Sequence, residues 1–227
     1  MKKIIAIVVA IACLVALVSC GANDVDKVGA MFEASRPTKT VVATTQQFGD
    51  TILESEYTLI TGLIGDLKAS VYEATYDELI SVEEGSGETI YDSVVEKYEC
   101  LEYLEGYGVR KTEGVTVGKW DAEAENFASA NGPMSLNLSS EYIKTFTYEA
   151  GKLRCVVAAK NTAEVLGIAE DLAVDVSIEL TDDGASITSV IITYTIPADE
   201  EAEVPETIIT IKAFYFYDLQ KIEINVK

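Results

Sequence analysis

Histidine is absent from these 227 residues, while Asp and Glu together number 38 and cysteine four. Without an imidazole, Ser-His-Asp and Cys-His catalysis and the commonest zinc ligand are all unavailable. The sequence has no S-x-x-K, G-x-S-x-G, H-E-x-x-H or G-x-x-x-x-G-K-[ST] run, so the usual hydrolase and nucleotide chemistries have no foothold. Carboxylates remain, because two acids facing each other about 5 to 9 Å apart suffice for glycoside hydrolysis. Among so many acids, pairs at that distance arise by chance. The densest acidic run, Pro197 to Pro205, joins two expected strands and lacks the D-x-D-x-D-G alternation of a calcium loop, so it reads as a solvated connection. The chemistry-bearing residues thus point away from an enzyme, with no metal and no cofactor expected.

The cysteine that matters most is Cys20. Lys2 and Lys3 precede an apolar run, Ile4 to Val18, that is too short to cross about 30 Å of hydrocarbon and has the form of a processed signal. At its end Leu17-Val18-Ser19-Cys20 resembles a bacterial lipobox. The resemblance implies cleavage before Cys20 and a diacylglyceryl group on its thiol. Residues 1–19 are then the signal peptide, 20–45 a lipidated N-terminus and tether, and 46–227 a single β-rich globular domain. The implied address is the cell membrane, lipid-anchored on its extracytoplasmic face. A secretory signal with an ordinary cleavage site near Ser19-Cys20 is the alternative. Gly21, not Asp, follows the cysteine, a small hint against retention on the inner membrane if the envelope has two.

Charge narrows the partners. The net charge is −21, and losing Lys2 and Lys3 with the signal brings it to −23. A nucleic-acid backbone would be repelled, and anionic lipid headgroups would push the body away from the bilayer. Two further thiols, Cys100 and Cys155, remain in an exported chain and invite a disulfide; two small buried side chains are the alternative.

The elements that would position these groups read mostly as strands. Leu53, Tyr57 and Leu59 alternate with polar residues, and Leu172, Val174, Val176, Ile178 and Leu180 alternate with Ala173, Asp175, Ser177 and Glu179. Thr181-Asp182-Asp183-Gly184 turns the latter into Val190 to Ile196, and Ala150-Gly151 turns Thr145–Glu149 into Leu153–Val157. Thr207–Tyr217 and Ile222–Val226 close the meander. Val25–Ser35 could form a short helix, Asp121–Ala130 reads as a helix stopped by Gly132-Pro133, and Leu138–Ile143 could start another with Ser139 as its cap. Thr89–Leu104 fits a helix or a twisted strand equally well. The fold class is therefore α+β, mainly antiparallel β: a curved sheet or half-barrel with a few short helices.

One strand bears on function. In Thr207–Tyr217, Ile209, Ile211, Ala213, Tyr215 and Tyr217 share one side, while Ile208, Phe214 and Phe216 load the other. A strand apolar on both sides needs a cover on both. A packed helix is the plain cover; an apolar ligand lined by Phe214, Phe216, Tyr215 and Tyr217 is the sharper one. The twelve tyrosines read as strand packing, and Trp120, the lone tryptophan, offers no carbohydrate platform.

By element order from Thr38 to Lys227 the body is similar to the LolA-like lipoprotein carriers. That resemblance implies a half-barrel with an interior that holds acyl chains. The resulting expectation is a non-catalytic membrane lipoprotein that binds or carries an apolar or lipidic molecule. The alternative is an interaction module with a packed core that binds envelope polymer or a protein.

Overall fold

The computed structural model describes residues 24–64, 67–82, 89–103, 106–113, 116–117, 136–199, 205–218, 220–222 and 224. The fold is α+β and mainly antiparallel β, as the alternating pattern requires. Contacts divide the chain into two compact units, Met1–Ser35 with Ser135–Tyr194, and Arg36–Met134 with Thr195–Lys227.

In the first unit, residues 24–34 form a helix, α1. Val25, Val28 and Phe32, spaced three and four apart, fall on one face and are buried. The tether expected to reach residue 45 is therefore shorter. Its residues 24–34 are helix, and β1 begins at Lys39, because apolar side chains at helical spacing gain more by packing than by solvation.

β7 (Ile143–Glu149), β8 (Lys152–Val157), β9 (Val176–Asp182) and β10 (Ile187–Ile196) follow in the order β10-β9-β8-β7. Leu153 stands opposite Leu180, and Cys155 opposite Ile178, which in turn faces Ile192. These are all buried, whereas Arg154, Ser177 and Glu179 occupy the opposite, wetter face. Ala150 and Gly151 both have positive φ, 51° and 73°, the combination a two-residue hairpin needs.

The β8–β9 crossover holds Ala159–Asn161, a 3-10 turn, and α2 (Thr162–Leu166). The buried Thr162 hydroxyl accepts the Leu172 N–H at 2.6 Å and donates to the Ala159 carbonyl at 2.8 Å. The Asp175 carboxylate accepts the Ala159 N–H and the Lys144 ammonium. These bonds explain why the expected strand start at Leu172 slips to Val176: side chains of the crossover claim the backbone and carboxylate before it. Residues 140–142 form a turn, not the helix start expected at Leu138–Ile143.

In the second unit, β1 (Lys39–Phe48), β2 (Thr51–Ile64), β3 (Leu67–Val82), β4 (Thr89–Tyr103), β5 (Gly106–Glu113), β6 (Thr116–Val117) and β11 (Thr207–Phe216) run β6-β5-β4-β3-β2-β1-β11. The ambiguous stretch near residue 89 is thus a strand, paired on both sides. Ile222 and Ile224 are not in a strand, contrary to the expectation for Ile222–Val226. They pack on a cluster of Ala69 and Leu101 with Ile64, Leu67 and Val71. The helix expected at Asp121–Ala130 lies outside the described residues.

Candidate ligand-binding faces

Register turns the strands of the second unit into rows of side chains. On one face Phe216, Lys39, Ile60 and Val71 align, with Phe214, Val41 and Thr58 in the next row. Phe214 and Phe216 are each 43% exposed, against 0% for Ala213 and 6% for Tyr215 on the opposite face. The expectation that both faces of β11 be covered therefore fails for one of them among the described residues. Lys39 holds its ammonium 5.5 Å from the centroid of the Phe216 ring, and such charged neighbours keep a half-apolar face soluble. Phe214, Phe216, Val41, Ile60 and Val71 form a strip whose inner border is the Ile222 and Ile224 cluster.

Beside Tyr215, the buried face carries aromatic rings that the sequence did not single out. Tyr215, Thr40, Leu59, Tyr72 and Tyr98 form one row, and Ala213, Val42, Tyr57 and Ala74 the next. The Tyr57 and Tyr72 ring centroids lie 5.5 Å apart, and those of Tyr72 and Tyr98 6.2 Å apart, distances at which tilted rings attract. Burial, more than any neighbour, raises the phenol pKa of Tyr57, Tyr72 and Tyr215. Their alternation is visible in the sequence, but their meeting depends on inter-strand register. Tyr217, half-buried, follows the end of β11. The four residues expected to line one ligand site thus divide, Phe214 and Phe216 to the open face and Tyr215 to the buried one.

Cys100 and Cys155 are buried thiols, not the halves of a bridge. Cys100 stands opposite Ser70 in the second unit, and Cys155 opposite Ile178 in the first. Each fills a small buried position in its own ladder, the alternative to a disulfide that the sequence left open. Burial pushes the Cys155 thiol up to about 12, so it stays protonated and unreactive. Ellman titration of the native mature protein without reductant should find no reactive thiol and, after unfolding, two. A native structure that loses melting temperature on reduction would contradict this.

Three depressions accompany these faces. One of about 470 Å³ lies on the wet face of the first unit, lined by Thr145, Thr147, Arg154, Ser177, Glu179 and Thr193. There Lys152 and Arg154 both hold Glu179, at 2.9 and 2.6 Å, and lower its pKa. Another, about 350 Å³, adjoins Cys100, Thr61, Leu63 and Ser70. The third, about 440 Å³, gathers Glu54, Glu56 and Asp77 beside Lys212. Among the described residues no group of three or more acids or cysteines is arranged to hold a metal ion. Cys20 lies outside the described residues, as does most of the acidic run, Glu200 to Val204.

No protein-family model and no curated protein matches this chain. Among solved structures it is similar to a DUF1329 family protein from Desulfovibrio piger ATCC 29098, with 11% identity, 86% of this chain and 92% of that one covered, and a TM-score of 0.27. A likeness at that score carries nothing about function.

Proposed function

We propose that this protein is an extracytoplasmic lipoprotein, anchored through Cys20, whose β-rich body binds an apolar or lipidic molecule without catalysing a reaction on it. The observation that supports the ligand is the strip of Phe214 and Phe216, each 43% exposed and continuous with an apolar cluster. An acyl chain laid along it would remove apolar surface from water, worth about 25 cal/mol per Å². The LolA-like resemblance points to the same class of ligand. Tyr215, already buried, would stiffen the strand from behind.

Phe214→Asp should weaken binding of a fluorescent fatty-acid probe about tenfold or more, since losing one aromatic contact and adding a charge costs on the order of 1.5 to 3 kcal/mol. Ile168→Asp, at an apolar site of similar 40% exposure in the first unit, should leave it unchanged. The measurement is a probe titration on folded variants, with mass spectrometry of lipid extracted from protein purified without detergent. Absence of both co-purified lipid and saturable probe binding would leave the interaction module as the better account.

A further inference from the structure

We propose that the ligand face continues beneath the C-terminal segment, where Ile222 and Ile224 occupy its inner half as a displaceable stand-in for an acyl chain. This rests on the strip at Phe214 and Phe216 being the ligand face. Register carries that strip inward. Ile60 stands opposite Val71, and in the next row of the same face Gly62 stands opposite Ala69, and Ala69 opposite Leu101. Neighbouring strands lie about 4.8 Å apart, so the apolar floor from β11 through β1, β2 and β3 to β4 is roughly 19 Å wide.

The outer half of this floor is open and the inner half is covered. Phe214 and Phe216 are each 43% exposed, whereas Ala69 and Leu101, clustered with Ile222 and Ile224, are 5% and 0% exposed. Gly62 leaves room for the cover, since a Cβ there would come within 3.0 Å of the Ile222 Cδ1. The chain is held where it leaves β11: the Thr38 N–H donates to the Phe216 carbonyl at 2.8 Å and the Thr38 hydroxyl to the Asp218 carbonyl at 2.5 Å. Beyond that point neither Ile222 nor Ile224 lies in a strand or in a backbone hydrogen bond among the described residues. Apolar packing seats them, the same contact that an acyl chain offers.

A segment seated in this way exchanges with a ligand of like chemistry. An acyl chain lands first on the open strip at Phe214 and Phe216, and its remaining length replaces the two isoleucines over Gly62, Ala69 and Leu101. Methylene contacts then stand in for side-chain contacts, and the floor stays out of water. Binding carries the cost of lifting the cover, because apparent affinity falls with the fraction of molecules whose site is open. Loosening the cover therefore tightens binding, and fastening it weakens binding.

The test is titration of the purified mature protein with a long-chain fluorescent fatty-acid probe. Ile222→Ala removes packing from the cover without adding charge, and should tighten binding by roughly fivefold or more. The Ile222 Cγ1 lies 3.5 Å from where a Gly62 Cβ would stand, so Gly62→Cys combined with Ile222→Cys brings two thiols within bridging reach. Oxidising that pair should fasten the cover and weaken binding about tenfold, and reduction should restore it in the same folded molecule. Unchanged or weaker binding by folded Ile222→Ala, or equal affinity of the bridged and reduced pair, would overturn the cover and leave the strip as the whole site. A pair that does not bridge would place Ile222 away from Gly62 and overturn the cover as well. No saturable binding by any form, Ile222→Ala included, would overturn the ligand face itself and, with it, this inference.

Discussion

Cys20→Ser should move the protein entirely out of the membrane fraction. Each buried methylene of an acyl chain contributes about 0.8 kcal/mol, and two chains on one thiol make attachment stable where one would be marginal. Among the described residues nothing else supplies a comparable hold. Among the described residues no helix is long and apolar enough to cross a membrane, and a net charge of −21 opposes adsorption to anionic lipid. The effect is close to all-or-none, and detergent phase partitioning of wild type beside the variant reads it directly. A variant that stays membrane-bound would require another anchor, such as an uncleaved signal.

Gly29→Ala should destabilise the first unit by about 3 kcal/mol or more, near the top of the range for overpacking. The sign is not obvious from sequence, because alanine is worth about 1 kcal/mol over glycine inside a helix. In this position the added methyl would meet the Leu138 backbone oxygen well inside contact distance, and backbone cannot swing aside like a side chain. The clash outweighs the propensity. Urea unfolding followed by circular dichroism should show the loss as a lower midpoint, whereas Gly49→Ala, with nothing near its Cβ, has only its positive φ to offend. A Gly29→Ala protein as stable as wild type would mean that α1 is not docked as described.

Much of the fold was legible in the sequence because it depends on local patterns. The alternation through Val176, Ile178 and Leu180 gave a strand, and Ala150-Gly151 gave a tight turn in which Gly151 takes positive φ without strain while Ala150 does so against its Cβ. Where local patterns competed, the sequence could not choose. Ile90, Val94, Tyr98 and Leu101 have helical spacing, yet pairing with β3 and β5 on either side makes them strand. Tertiary pairing decided there, not propensity. Similarly, Val25, Val28 and Phe32 were a visible helical stripe, but whether that stripe had a partner depended on a segment more than a hundred residues away.

The candidate site was legible only in part. Alternation put Phe214 and Phe216 opposite Tyr215 correctly, and chemistry suggested that both sides be covered. Among the described residues one side stays open, where cross-strand neighbours such as Lys39 and Thr58 provide polarity. The group of Tyr57, Tyr72 and Tyr98, in contrast, joins residues from three strands and two neighbouring rows. No spacing along the chain predicts which of twelve tyrosines will meet, since register is set by turn lengths and by which face is buried.

The account depends most on what is attached to Cys20. Intact-mass spectrometry of the mature protein, extracted from membranes of a cell expressing the full chain, measures it in one step. The predicted result is a polypeptide that begins at Cys20 and carries the added mass of a diacylglyceryl group, with or without a further acyl chain. A polypeptide beginning at any other residue, or beginning at Cys20 with an unmodified thiol, would contradict it.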